Sequence, residues 1–220
     1  MKVLFWNFRG MGKKSRVGLL KEHMFKEQVD IVGIQETIKQ NFMEGDLATL
    51  SNGRPFQWKW LPARGRSGGI LVGVKTDLME VEDWCLGEHF VGVSLRQRLT
   101  NFRWQLIVVY GPAQHEYSAA FLSELGSFLQ STPLPCLVGG DFNLIRSLSD
   151  KSNGRGMWCW WMPLIALLKN TTWGKCTDWG LVSPGHTGRN AQSRVTLTEF
   201  SWLQSGNKNF PSQPSPVLQG

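Results

Sequence analysis

No run of about 18 apolar residues occurs anywhere in the chain, the length a membrane-crossing helix needs. The opening Met1-Lys2-Val3-Leu4-Phe5-Trp6-Asn7 also lacks an apolar segment closed by small residues, the mark of a secretory leader. The expectation is a soluble protein with no membrane partner and no readable address. Cysteine is sparse, with Cys85, Cys136, Cys159 and Cys176, and no two form a C-x-x-C pair. The first two sit in apolar, strand-like surroundings, so neither a zinc site nor a disulfide framework is suggested, and the four read as reduced, buried or incidental thiols. No cluster of His and Cys offers a soft metal its ligands. Acidic residues are outnumbered, 17 Asp and Glu against 24 Lys and Arg, for a net charge of +7 and a pI near 9.4. That balance favours a polyanionic partner such as nucleic acid, although charge alone describes many unrelated proteins. With 220 residues, 41% of them hydrophobic, one respectable core can be buried and little room remains for a second.

What is present has the grammar of a layered α/β protein. Lys2–Asn7 is an apolar run ending in a polar residue, followed by the loop Arg9-Gly10-Met11-Gly12. From about Ser15 to Gln28, Val17, Leu20 and Met24 recur at helical spacing. Asp30 to Glu36 then reads as a second buried strand, completing a β-α-β unit. Beyond it come short strands without long helices between them: Phe56–Leu61, Gly68–Val74 after a hairpin turn at Arg64-Gly65-Arg66-Ser67, Phe90–Leu95 and Trp104–Tyr110. Ser118 is placed to cap a helix carrying Phe121, Leu125, Phe128 and Leu129 on one stripe, and Pro133-Leu134-Pro135 stops it before the strand Cys136–Gly140. The fold class expected is α/β, a layered sandwich with helices on its outer faces.

Four polar clusters each follow a strand-like run: Asn7, Gln35-Glu36, Tyr110-Gly111-Pro112 and Gly140-Asp141-Phe142-Asn143. Strand ends are where a sheet can aim several side chains at one spot with little freedom. Carboxylates at Glu36 and Asp141 with amides at Asn7 and Asn143 form an all-oxygen set, suited to a hard ion that keeps most of its waters, Mg²⁺ or Mn²⁺. No small-molecule cofactor is expected. Asp141 and Asn143 also suit a turn, and Gly65 to Gly69 is most simply a hairpin turn. His115 reads as a loop residue rather than a catalyst.

The motifs Trp6-Asn7-Phe8-Arg9-Gly10, Ile34-Gln35-Glu36-Thr37, Gly65-Arg66-Ser67-Gly68-Gly69, Val109-Tyr110-Gly111-Pro112 and Gly139-Gly140-Asp141-Phe142-Asn143 resemble, in order, those of the endonuclease/exonuclease/phosphatase superfamily. The wording is most similar to the endonuclease of plant LINE-type retrotransposons. The resemblance implies a DNase I-like sandwich and in-line hydrolysis of a phosphodiester, with DNA as the ancestral substrate. It implies Glu36 as metal ligand with Asn7 beside metal and phosphate, and Tyr110, Asp141 and Asn143 as catalytic residues. Arg9 stands where abasic-site repair enzymes of the superfamily often carry an acid, which favours a retroelement nicking enzyme. A nuclear location would follow from that role. A phosphoinositide phosphatase or an RNA deadenylase would share the strand-end groups, and a basic nucleic-acid-binding remnant without catalysis is the reading from another class.

The resemblance covers residues 1–156, a partial domain, and then lapses. Six of the eleven tryptophans fall in the last 64 residues without period, and Asn207 to Gly220 is rich in Pro, Gln and Ser, a composition expected to be disordered. The family's closing segments, ending in Ser-Asp-His, are not legible; His186 lacks the preceding Ser-Asp. Residues 157–220 therefore read as an aberrant tail, translated out of frame after one nucleotide was gained or lost near Gly156. Joining the last base of each codon to the first two of the next turns Met157–Pro163 into Val-Val-Leu-Val-Asp-Ala, a string the genetic code forces. Little or no nuclease activity is expected of a chain lacking those segments.

Overall fold

Alternation along the strands decides the layering. In β1 (Lys2–Asn7), Val3 and Phe5 face one side while Leu4 and Trp6 face the other, because successive strand side chains point to opposite faces. The same parity runs through β2 (Ile31–Gln35), where Ile31 faces inward and Val32 and Ile34 outward, and through β4 (Ile70–Lys75), where Ile70, Val72 and Val74 face inward. Among later strands, Trp104, Leu106 and Val108 of β7 (Arg103–Tyr110) join that inner cluster, whereas Ile107 and Val109 turn away. Two sheets thus share one interior. The computed structural model describes residues 1–143, apart from Lys13 and Arg66, and the short strand Thr198–Glu199.

The first sheet has the order β3-β4-β2-β1-β9, with β3 at Phe56–Leu61 and β9 at Thr198–Glu199. β1 and β2 run parallel, and the pairs Lys2↔Glu199 and Val3↔Thr198 place β9 antiparallel on the far side of β1. The second sheet has the order β5-β6-β7-β8, with β5 at Met79–Leu86, β6 at Phe90–Gln97 and β8 at Cys136–Asp141. Here β7 and β8 are the parallel pair. Helix α1 (Lys14–Lys26) and helix α2 (Glu44–Ser51) flank the first sheet. Leu20 and Met24 of α1 and Leu50 of α2 are fully buried against Leu4, Trp6 and Ile34. Helix α3 (Ser118–Ser131) covers the second sheet with Phe121, Leu125 and Leu129. The result is the mixed α/β sandwich expected from the sequence, helices outside and two sheets within.

Packing between the sheets is close enough to need glycine. A Cβ on Gly33 would lie 2.8 Å from both methyls of Val108, and one on Gly139 would strike the ring of Phe5. Fully buried side chains of the size that fills this interior contribute about 1.5–3 kcal/mol each. At the edge of the second sheet, β5 carries Glu80 and Glu82, which pair with Arg96 on the adjoining β6 and Arg103 on β7 beyond it. Charges on an edge strand discourage pairing with another chain.

Several expectations are refined. The helix expected from Ser15 to Gln28 spans Lys14–Lys26, and the strand expected from Gly68 begins at Ile70, since Gly68 and Gly69 take positive φ of 80° and 85°. Strand β5 and helix α2 add to the elements read from sequence. Ser118 does not cap its helix. A one-turn 3-10 helix, His115–Tyr117, leads directly into α3, so Ser118 is already helical (φ −62°, ψ −36°) and its hydroxyl makes no capping bond. His115 lies in that turn. Arg64 and Ser67 pair across the β3–β4 connection as a hairpin turn requires. Cys85 and Cys136 are free thiols on strands, while Cys159, Cys176, His186 and the tail beyond Gly156, β9 apart, lie outside the described residues.

Candidate active site

Parity and register bring the strand-end residues together. Asn7 and Gln35 close β1 and β2 side by side on their inner faces, and Tyr110 and Asp141 close β7 and β8 in the same way. Both parallel pairs end at the same rim of the sandwich. There the Asn7 side-chain amide donates to Asp141 Oδ2 at 2.5 Å, tying one sheet to the other. Asp141 Oδ1 accepts the backbone N–H of Asn143 at 3.1 Å, so both carboxylate oxygens are held. Asn143, in left-handed backbone at φ 49°, sends its amide to the carbonyl of Gly111 at 2.7 Å. Gly111 in turn donates its N–H to the Asp141 carbonyl at 2.8 Å. A Cβ at 111 would lie 2.0 Å from the carbonyl oxygen of Phe142, so only glycine permits this approach.

Tyr110 sits half-buried between these groups. Burial first, then the facing carboxylates of Glu36 and Asp141, push its phenol up to about 12. The phenol also engages the side chains of Asn143 and Glu36 by hydrogen bonds, the first easing and the second opposing ionisation. It is therefore a neutral O–H donor at ordinary pH.

Glu36 is carried on a turn of unusual backbone. Glu36 and Ile38 both have φ 54°, a left-handed conformation that costs a non-glycine residue about 1–3 kcal/mol and persists only where the surroundings over-determine it. They do so here. Thr37, fully buried, donates its N–H to Gly69, and Ile38 donates to Gly68, while Gly10 and Met11 donate to the carbonyls of Glu36 and Thr37. Arg9, likewise left-handed at φ 51°, belongs to the same clamp, with its carbonyl accepting from Arg16 at 2.9 Å.

The site thus assembles all five residues singled out from the sequence: Asn7, Glu36, Tyr110, Asp141 and Asn143. Sequence reasoning gave no role to Gln35, Thr37 or Gly111. All three stand inside the family-like motifs, which is the signal that could have found them.

The donors at the rim are oxygen atoms. Because a carboxylate only accepts, the Asn7 nitrogen must face Asp141, which leaves Asn7 Oδ1 buried with no partner. Gln35 Oε1, next to it in register, is buried and unpartnered as well, its amide nitrogen being taken by the Gly33 carbonyl. Two orphaned amide oxygens beside two carboxylates, with no sulfur or imidazole donor gathered there among the described residues, fit Mg²⁺ or Mn²⁺ chemistry. Among the described residues no group of three or more His, Cys, Asp and Glu side chains is gathered for a metal, so any ion held here would keep several waters.

The sequence profile of the Endonuclease/Exonuclease/phosphatase family matches residues 4–205. The chain belongs to the endonuclease/exonuclease/phosphatase family. The catalytic domain of human Nocturnin, solved with a bound sulfate anion, superimposes at TM-score 0.53 with 16% identity, covering 70% of this chain and 69% of that one. An AP endonuclease from Archaeoglobus fulgidus superimposes at TM-score 0.50 with 20% identity, covering 67% of this chain and 59% of that one. At these identities the likeness concerns the fold, and the matched part spans about three fifths of the archaeal enzyme. No curated protein matches the chain in sequence. Among the described residues no helix is long and apolar enough to cross a membrane.

Proposed function

We propose that this member of the family is a phosphodiesterase directed at DNA, of the type that nicks target DNA for LINE-type retrotransposons, with Mg²⁺ or Mn²⁺ as its ion. The observation that most supports this reading is the meeting of Asn7, Glu36, Tyr110, Asp141 and Asn143 at one rim of two sheets. Glu36 and Asn7 would hold the ion. When bound, it would supply positive charge to the phosphate and to the leaving oxygen.

The remaining work falls to the chain's own groups. Asp141, its plane fixed by Asn7 and Asn143, has lone pairs left to orient an attacking water and take its proton. The Tyr110 O–H would donate to a non-bridging phosphate oxygen, and Asn143 would hold water and phosphate beside it. Donors fixed before charge develops need no reorganisation during the reaction, which is their main catalytic value.

The motif wording and Arg9 support a retroelement enzyme, and nuclear action would follow. The proposed boundary at Gly156, with residues 157–220 out of frame, means that this polypeptide lacks the Ser-Asp-His that would complete the site. Loss of one acid–base group lowers rates by about 10²–10⁴, so turnover is expected to be slight or nil. Plasmid nicking in Mg²⁺, with Glu36→Ala as control, tests the proposal. Slow nicking that vanishes in the variant supports an active enzyme; nicking that persists in the variant sinks it.

A second reading, a basic nucleic-acid-binding remnant without catalysis, is favoured by the net charge of +7. Its affinity must fall steeply with salt as counterions are released. A phosphoinositide or poly(A) substrate would instead point to a phosphatase or deadenylase branch, and a substrate panel distinguishes them.

A further inference from the structure

Ile38 is the least expected side chain at the rim. It is β-branched, sits in left-handed backbone at φ 54°, and is 40% exposed. Branched residues avoid that conformation, so its position is enforced by the neighbours. Its N–H is spent on the Gly68 carbonyl at 3.0 Å, and its Cδ1 lies over Gly10, 3.3 Å from where a Cβ would be. A Cβ on Gly68 would in turn lie 3.9 Å from the ring of Tyr110. Ile38 is thus linked by one residue on either side to the Asn7 loop and to the Tyr110 phenol. The next residue is drawn off: Lys39 is paired with Asp46 at 2.5 Å and lies over the Phe42 ring. What the turn offers beside Glu36 is therefore an apolar surface where a polar one would have been easier to build.

We propose that Ile38 is a specificity-determining residue, presenting its side chain to the sugar and base that flank the scissile phosphodiester. A nucleotide chain has an apolar sugar edge and base face to cover it, whereas a compact inositol phosphate has hydroxyls and phosphates all round and leaves it unmatched. The site then prefers a nucleic acid over a small polyphosphate of similar charge. This rests on the phosphodiesterase reading of the same rim and adds to it the origin of substrate choice.

The test is equilibrium binding of a fluorescent single-stranded oligonucleotide and of inositol hexakisphosphate, in chelator, by wild type, Ile38→Asn and Ile38→Leu, with thermal midpoints for each. Asn tolerates the left-handed backbone, so the fold is kept while the apolar surface is lost. Ile38→Asn is expected to bind the oligonucleotide about tenfold more weakly, the worth of one apolar side chain covered on binding. Its inositol hexakisphosphate affinity and thermal midpoint should not fall, and Ile38→Leu should recover most of the oligonucleotide affinity. Equal oligonucleotide affinity in wild type and Ile38→Asn overturns the proposal, as does a parallel loss for both ligands. A wild type that binds inositol hexakisphosphate and no oligonucleotide overturns it too, and is the one result that also removes the nucleic-acid reading.

Discussion

Asn7 and Asp141, 134 residues apart in the chain, meet in a hydrogen bond that joins the two sheets at the rim of the site. The amide fixes the carboxylate and keeps its own oxygen bare. Asn7→Ala should therefore cost stability as well as function. A loss of about 1–3 kcal/mol is expected, the penalty for a half-buried acceptor deprived of its donor, measurable as a lower urea midpoint with unchanged slope.

Metal addition should stabilise the folded chain. An ion bound only by the native state at a hundred times its dissociation constant adds about 2.7 kcal/mol. Thermal melts of wild type should rise with Mn²⁺ and return on chelation. In Glu36→Gln the rise should be absent or much reduced, and an equal rise would remove Glu36 from the ion's ligands.

Gly111 links Asn143 to Asp141, and a Cβ there meets the Phe142 carbonyl at 2.0 Å. Gly111→Ala should displace the loop, weaken Mn²⁺ binding and destabilise the protein by about 1–3 kcal/mol, as over-packing commonly does. An unaltered melt with unaltered Mn²⁺ affinity would show that the loop yields without consequence.

The strand ends are legible because five motifs that close apolar runs in polar side chains follow one another in the family's order; singly, Glu36 reads as well as an ordinary strand end and Asp141-Phe142-Asn143 as a turn. The meeting of these strand ends is not legible. That Asn7 touches Asp141 depends on two parallel pairs and on how two sheets stack, and neither is written in local pattern. Strand β5 escaped because its alternation, Met79 and Val81 inward, slips by one residue at the bulge between Val81 and Asp83 and resumes at Trp84, and α2 because it buries little beyond Leu50. Ser118 looks like a cap since serine favours that position; the preceding 3-10 turn runs straight into α3, so Tyr117 takes the cap position and Ser118 is the first helical residue.

Cys136 provides a check on the second sheet at high pH. Burial pushes its thiol up to about 12, from an ordinary value of 9.0, and its S–H donates to the Leu134 carbonyl at 3.2 Å. A group whose pKa is raised by folding stabilises the native state below its unfolded value and loses that contribution as pH climbs through the folded one. Stability from this thiol should be intact below pH 9 and drain away between 9.0 and about 12. Alkylation of native protein at pH 8 should be slow at Cys136 and fast once urea is added; rapid native labelling there would contradict its burial.

The proposed loss of frame near Gly156 makes its own prediction. A gene altered by one nucleotide at that point should encode a longer match to the family's closing segments, through Ser-Asp-His. Its product should nick plasmid faster than the present chain by about 10²–10⁴, the worth of a restored acid–base group. A corrected frame that soon meets stop codons would assign the tail another origin.

Because Asn7, Tyr110 and Asp141 owe their aim to odd-or-even position along a strand, the site tolerates change very unevenly. One codon gained inside β7 would swing the phenol toward α3, whereas many codons gained in the connections between strands would leave it untouched. Drift in such a lineage should therefore lengthen its surface excursions freely while the short strand segments keep their length to the residue.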